Sequence, residues 1–352
     1  MKNTMNCRFV SYMKRQLVLA GSHQRKSLST PLQSLYSRSS STSFSSSFSS
    51  NGSTSNSNIN DIIDNPSLVT FTHDEKTQIG TITLNSPSTY NALSVEMGNE
   101  FEALIHRLKN QINGHHSSSS SSSLKNLNVI ILKGSKHNFS SGGDLHWLKK
   151  LRDNPVHINA DKMYSFYKSF LSIRSLPIPT IAYVEGFAIG AGACLTLATD
   201  LRVMDSKAKI GFNFVKLGIH SGMGGSHLLP NLIGESKAKY ALLTGQIFNA
   251  QEAYDSGLAH RIVTDNIDGD EVIQMAKDIS SMHPLAVRSM VQTTRMREDA
   301  MGGMGGLDAT LKREAYAQAI CYAKDDWGEG LDAVVERRQP DFDTYHGNDG
   351  DW

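Results

Sequence analysis

The sequence predicts an α/β fold of layered strands and helices, and three observations carry that prediction. Apolar runs of the buried-strand kind, "NVIILKG" and "PTIAYVEG", alternate with segments whose apolar residues recur at spacings of three and four. Two such runs pass through a glycine-rich turn directly into a helix, in "VIILKGSKHNFSSGGDL" and "TIAYVEGFAIGAGACLTL". The chain has 352 residues, 39% of them hydrophobic and 20% charged, which suffices for a sizeable buried core.

Before the first strand, residues 1–60 contain no Asp or Glu but carry Lys2, Arg8, Lys14, Arg15, Arg25, Lys26 and Arg38 beside the tract "RSSSTSFSSSFSS". A basic, Ser-rich, acid-poor leader with Phe9, Met13 and Leu17 at helical spacing predicts an organelle transit peptide and a mitochondrial matrix address, with the plastid as the alternative. Without those residues the chain holds 28 basic against 34 acidic side chains, a mildly acidic balance that weighs against nucleic acid as a partner. No run approaches the roughly 18 apolar residues of a membrane span. Cys7, Cys194 and Cys321 are too scattered for a disulfide framework or a zinc site, and neither a metal nor a redox cofactor is indicated.

Each element follows in order. Alternation around a polar turn predicts strands at 68–72 and 78–84, and Met97, Phe101, Leu104, Ile105 and Leu108 predict a helix capped by Ser94. A Ser-rich surface insertion, 115–123, interrupts the alternation without ending the domain. Strands are then expected at 128–134, at "PTIAYVEG" and at "LRVMD", with helices at 161–176 and "GACLTLATD" and a strand carrying Phe214. Helices at 272–281, 285–296 and 311–323, with "MGGMGG" as a joint, make a helical tail. The division expected is therefore a leader 1–60, a core 61–265 and a C-terminal helical region 266–352 serving oligomer contacts and active-site closure.

At each glycine turn, backbone N–H groups that open a helix lack an intrahelical partner, and two such turns can cradle one oxyanion. The blocks "NSPSTYNALS", "NFSSGGDL", "VEGFAIGAGACL", "KLGIHSGMGGSHLLPNLIG", "ALLTGQIFNAQEAYDSGLAHRIV" and "ERRQPDF" resemble, in order, those of the enoyl-CoA hydratase/isomerase, or crotonase, superfamily, over essentially all of 66–342. The resemblance implies a crotonase-like ββα spiral and an acyl-CoA thioester substrate, coenzyme A entering as part of that substrate. It implies an oxyanion hole made by the N–H groups of Gly143 and Ala191. Coenzyme A is implied along Ser88, Thr89, Tyr90 and Ala92, with Ser140, Ser141, Gly142, Asp144 and Phe214 around the substrate and Arg338 and Phe342 closing over it. A homotrimer or homohexamer is implied as well.

The two glutamates of the family's hydratases match Cys194 and Phe214 here, and the carboxylates of its hydrolase-like, dehalogenase-like and ring-forming branches match Gly222 and Ser221. The chain therefore keeps the cradle and lacks the family's acids. His220 is the candidate replacement base, against a loop histidine bonded to backbone. Cys194, at the start of the oxyanion helix where a thiol pKa can fall, is the second tentative acid or base, against a core-packing cysteine. Asp144 reads as a helix cap, Glu185 and His146 as polar neighbours, and His227 as facing a loop. Tyr316, Lys312 or Glu314 of the tail are candidates to fold back as a proton donor. The functions expected are acyl-CoA processing through a thioester enolate in mitochondrial fatty-acid or branched-chain acyl breakdown, a thioester hydrolase of the 3-hydroxyisobutyryl-CoA type, or a non-catalytic acyl-CoA binder.

Overall fold

β1 (Val69–Asp74) and β2 (Ile79–Leu84) pair antiparallel around the polar turn, each one residue inside the start its alternation predicts. The computed structural model describes residues 67–114, 123–264, 270–301, 306–324, 326–336 and 338–342. The expected leader, all but the last residue of the Ser-rich insertion and the centre of "MGGMGG" lie outside the described residues. β2 is followed by α1 (Val95–Ile112), whose Ser94 cap accepts the Met97 N–H at 3.2 Å and whose apolar stripe is fully buried.

β3 (Val129–Gly134), α2 (Leu145–Lys150) and α3 (Val156–Leu171) come next. α3 starts earlier than its apolar stripe suggests, because Pro155 precedes it, and a 3-10 turn at Ser172–Ser175 replaces its expected last turn. β4 (Thr180–Val184), β5 (Phe187–Ile189), α4 (Ala191–Leu197), β6 (Leu201–Asp205) and β7 (Lys209–Gly211) complete the central part. Phe214 does not sit on a strand as expected; it opens a 3-10 turn, Phe214–Leu217, after β7 ends. α5 (Gly225–Ile233), α6 (Glu235–Thr244), β8 (Ile247–Asn249), α7 (Ala250–Asp255) and β9 (Arg261–Val263) lead to the tail helices α8 (Asp270–Ser280), α9 (Pro284–Ala300), α10 (Gly306–Tyr322) and α11 (Asp326–Glu336).

The six-stranded sheet runs β1-β2-β3-β4-β6-β9, parallel from β2 onward, and the three-stranded sheet runs β5-β7-β8. Between the two layers the chain repeats one unit. Each of β2, β3, β4 and β6 is followed by a short segment that bridges to its neighbour in the second layer. Leu93 pairs with Gly143, Ser140 with Ala188, and β5 with β7, all in parallel. That stacking of strand, bridge segment and helix is the ββα spiral, and it sets the glycine turns one above another.

The tail shares the central core. Leu307, Leu311, Ala315, Tyr322 and Trp327 belong to the same apolar cluster as Ile82, Phe101 and Phe170. α9 is tied in by the buried Arg295. Its guanidinium donates to Asp200 Oδ1 at 2.8 Å and Oδ2 at 2.5 Å, and to the carbonyls of Arg174, Leu176 and Ile178 that lead into β4. Replacing it with Met strips Asp200 of its cation, leaving it the Thr180 donors alone, and takes the guanidinium from three carbonyls. Arg295→Met is expected to lower unfolding stability by about 3–5 kcal/mol in urea titration, whereas a loss within 1 kcal/mol would mean this pair does not anchor the tail.

Candidate functional site

A cavity of about 790 Å3, counting its open mouth, lies where the stacked turns meet α3 and α10. The turn after β3 supplies Ser141, Gly142 and Gly143, and the turn after β5 supplies Gly190 and Ala191. These segments lie side by side. Ser140 N donates to Phe187 O and Ile189 N to Ser140 O, at 3.0 and 3.1 Å. A Cβ on Gly142 would stand 2.8 Å from the Ile189 carbonyl oxygen, and its φ of +103° excludes ordinary side chains as well. Gly190, at φ 54° and ψ −119°, turns the chain into α4. As a result the N–H of Gly143 and the N–H of Ala191, the first residue of α4, have no acceptor among the described residues.

Asn91 holds these turns to the loop before α1. Fully buried, its amide nitrogen donates to Ser135 O and Asn138 O at 3.0 and 2.7 Å, while its amide oxygen accepts from Ser86 N and Ser135 Oγ, both at 3.0 Å. Its carbonyl accepts from Ser140 Oγ at 2.7 Å, and Ser141 Oγ donates to Thr89 O at 3.0 Å. Both serines that sequence reasoning offered to substrate thus brace the cradle.

The remaining lining is neutral and mostly apolar: Leu148, Met163, Phe166, Ile189, Phe214 and Met223 among others. Among the described lining residues there is no carboxylate, imidazole, thiol or amine. The polar side chains are Ser141, Asn213, Tyr167, Gln318 and Tyr322. Tyr167 donates its hydroxyl proton to Gln318 Oε1 at 2.6 Å, and Gln318 Nε2 donates to the His220 carbonyl at 2.7 Å. Burial raises the Tyr167 pKa well above the ordinary phenol range, helped by the neighbouring Tyr322, so the hydroxyl stays protonated. That hydroxyl fills the space in front of Gly222, where a Cβ would lie 2.5 Å from it.

A family model described as enoyl-CoA hydratase/isomerase matches residues 74–345. The chain belongs to the enoyl-CoA hydratase/isomerase family. It is 31% identical over 268 residues to a putative enoyl-CoA hydratase of Thermus thermophilus, covering 76% of this chain and 98% of that protein. It is 28% identical to the 2,3-dehydroadipyl-CoA hydratase of Escherichia coli, covering 74% and 93%. A crystal structure of an enoyl-CoA hydratase from Mycobacterium avium subsp. paratuberculosis superimposes with a TM-score of 0.64 at 22% identity, covering 78% and 98% of the two chains.

Within this family fold, the positions singled out by sequence separate into cavity and support. Ala92, Ser141, Gly142, Gly143, Ala191 and Phe214 line the cavity. Asp144 caps α2, accepting the Trp147 N–H at 2.9 Å. Ser88 is exposed, and Thr89 and Tyr90 are half-buried on the neighbouring turn. Cys194 departs from the expectation of an activated thiol. It is fully buried behind the cavity wall, and desolvation, with the nearby Glu314, pushes its pKa up well above the thiol range.

His220 is half-buried outside the lining, with Nδ1 2.6 Å from the Ser221 carbonyl. A carbonyl only accepts, so Nδ1 carries the proton. What His220 contributes to the cavity is its backbone oxygen, the anchor of Gln318. His227 does not face a loop: it is buried, with Nε2 2.8 Å from the Glu298 carbonyl, because α9 and α10 pack over it. Arg338 is held by Glu329 and Glu336 rather than free, and neither it nor Phe342 lines the cavity. Glu185 pairs with His137 at 2.8 Å.

Of the tail residues proposed to fold back, Tyr316 is exposed and Lys312 pairs with Asp308 at the surface. Glu314 does turn inward, but to α5: its carboxyl accepts from Gly224 N, Ser226 N and Ser226 Oγ at 2.7, 2.9 and 2.6 Å. The tail residues that line the cavity are Gln318, Tyr322 and Val334, which sequence reasoning passed over. Gln318 lies four residues after Glu314, one turn along the same face, and that spacing is the signal that would have found it. Tyr167 sits with Met163, Phe166 and Phe170 on the buried face of α3, where its sequence reads as core.

Two outcomes follow from this packing. Gly222→Ala must push its methyl into the pinned Tyr167 hydroxyl, so a loss of about 1–3 kcal/mol is expected in urea titration, and unchanged stability would mean Tyr167 is not held there. Glu314 has its pKa pushed up to about 7 by desolvation, against an ordinary value of 4.5. The folded chain then keeps a proton that the unfolded chain releases, and stability from this group falls as pH rises from about 4.5 to 7. Glu314→Gln should flatten the melting-temperature profile in that window, and a profile as steep as before would place the titration elsewhere.

Proposed function

We propose that this chain is an acyl-CoA-processing enzyme that holds the thioester oxygen between the N–H groups of Gly143 and Ala191 and stabilises the enolate formed there. The observation that carries this reading is the pair of backbone donors, unpartnered among the described residues, that line an apolar cavity. An enolate places its negative charge on that oxygen, and fixed donors in a dry site stabilise it as it develops. Ser88, Thr89, Tyr90 and Ala92, on the turn beside the cradle, are the surface along which coenzyme A would run. The acidless cavity speaks against water activation by paired carboxylates, and an enolate would form there by passing the α-proton to a base outside the described lining residues. The carboxylate-dependent hydrolase reading gains no support, since Tyr167 fills the space in front of Gly222.

The leader supports work in the mitochondrial matrix, on fatty or branched-chain acyl groups. Leu243, Leu285, Met290 and Met296 are large, apolar and exposed, which supports a homotrimer or homohexamer. A second reading, an acyl-CoA binder without turnover, is favoured by the absence of any acid or base among the described lining residues.

The test is Ala191→Pro. Proline suits the first position of a helix and replaces the donating N–H with a ring carbon. Saturated, 2-enoyl, 3-enoyl and 3-hydroxyacyl CoA thioesters would be followed by enoyl absorbance and thiol release. Turnover by the parent chain that falls about a hundredfold or more in the variant is expected. Full turnover in a folded variant would rule the cradle out, and tight binding without turnover in the parent would select the second reading.

A further inference from the structure

Of the polar side chains that line the cavity, all but Asn213 are committed to protein partners. Ser141 Oγ donates to Thr89 O, Tyr167 to Gln318 Oε1, Gln318 Nε2 to the His220 carbonyl, and Tyr322 directs its hydroxyl at Met163 Sδ, 4.0 Å away. Tyr167, Gln318 and Tyr322 are also sealed, at 2% exposure or less. Asn213 differs on both counts. It stands at the N-cap of the 3-10 turn Phe214–Leu217, where an asparagine ordinarily bonds the backbone of the turn, yet its side chain makes no cap bond. Among the described residues neither its amide oxygen nor its amide nitrogen has a partner, and both atoms keep accessible surface, the residue being 7% exposed. Asn213 Oδ1 lies 3.8 Å from where a Cβ on Gly190 would stand. Gly190 directly precedes Ala191, whose N–H is one of the two backbone donors, and all three residues line the cavity.

An amide neither takes nor releases a proton near neutral pH, so Asn213 does not replace the missing acids. What it offers is a dipole. No partner fixes which end of it faces the cavity, so its NH2 end is free to turn toward negative charge. We propose that Asn213 is a catalytic residue of this site, donating a side-chain N–H to the enolate and so adding a third donor to those of Gly143 and Ala191. The inference rests on the reading that the cavity holds a thioester enolate. It adds the one side chain of the described lining whose donors are uncommitted and open. In a neutral, mostly apolar cavity such a donor acts strongly on charge that develops in place and weakly on a neutral thioester.

The experiment uses two probes, acetoacetyl-CoA and butyryl-CoA. The first releases a C2 proton to solvent and becomes an enolate with its own absorbance, and the second stays neutral. Both are bound to the full chain, to Asn213→Leu and to Asn213→Ala, which removes the amide without filling its space. Bound to the parent, acetoacetyl-CoA should ionise at lower pH than it does free in water. In each variant the ionisation should move up by about one pH unit, a tenfold loss of enolate that matches one hydrogen bond to a charged group. Butyryl-CoA should bind the variants as tightly as the parent, which also reports that they are folded. Ionisation at the parent's pH in both variants would overturn the inference and leave the enolate reading standing. Equal losses of binding for the two probes would overturn it as well, since a side chain that only shapes the wall does not tell charge from neutrality. A parent that binds butyryl-CoA but leaves acetoacetyl-CoA ionising as in water would remove the enolate reading, and a parent that binds neither would remove the acyl-CoA reading. The inference falls with either.

Discussion

Two backbone amides without partners among the described residues, at Gly143 and Ala191, are the constraint around which the molecule is arranged. A buried N–H left unpaired costs about 1–3 kcal/mol, so folded chains tolerate it only where the surrounding structure over-determines the backbone. Here that is done from three sides. Gly142 and Gly190 adopt conformations closed to other residues, Asn91 fastens the first turn to the loop before α1, and the bridge between Ser140 and Ala188 locks the two turns side by side. The ββα repeat provides the stacking, because β2, β3, β4 and β6 each hand the chain to a segment of the second layer.

The tail completes this arrangement through one helix face. From α10, Glu314 satisfies the open N-terminus of α5 and Gln318, a turn later, holds the His220 carbonyl and Tyr167. The loop from His220 to Ser226 is thereby fastened at both ends by groups nearly a hundred residues away in the chain. Arg295 does similar work for α9, donating to Asp200 and to the carbonyls before β4. The contacts that stabilise the tail also shape one wall of the cavity.

That wall is electrically neutral, and its neutrality sets what it can do. In a low-dielectric cavity, oriented dipoles act strongly on charge that develops in place, without the desolvation cost that buried ions carry. Phe214 and Cys194 follow the same logic. One presents an aromatic face to the cavity and the other is a protonated thiol packed behind it. The hydrogen-bonding capacity of the site lies in amides and phenols instead.

The three-residue strands β5, β7 and β8 are too short to show a period, but the sequence by itself determined the layered α/β class, most strands of the large sheet, the Ser94 and Asp144 caps, and the two glycine turns. All of these are local: periodicity, capping and backbone freedom are written within a few residues. That Cys194 and Phe214 match the acids of the family's hydratases was implied by the resemblance of the ordered blocks alone. Phe214 was misplaced by a turn, since a short 3-10 segment after β7 has no periodicity to read. Only the tertiary structure decided that Cys194 is sealed in the core, that His220 serves through its backbone, and that Tyr167 and Gln318 meet across 151 residues of chain. A tyrosine in an apolar stripe and a glutamine on a tail helix carry no local mark of a site. Their roles arise from packing α10 against α3, where the direction of a hydrogen bond is fixed by a partner that the sequence does not place nearby.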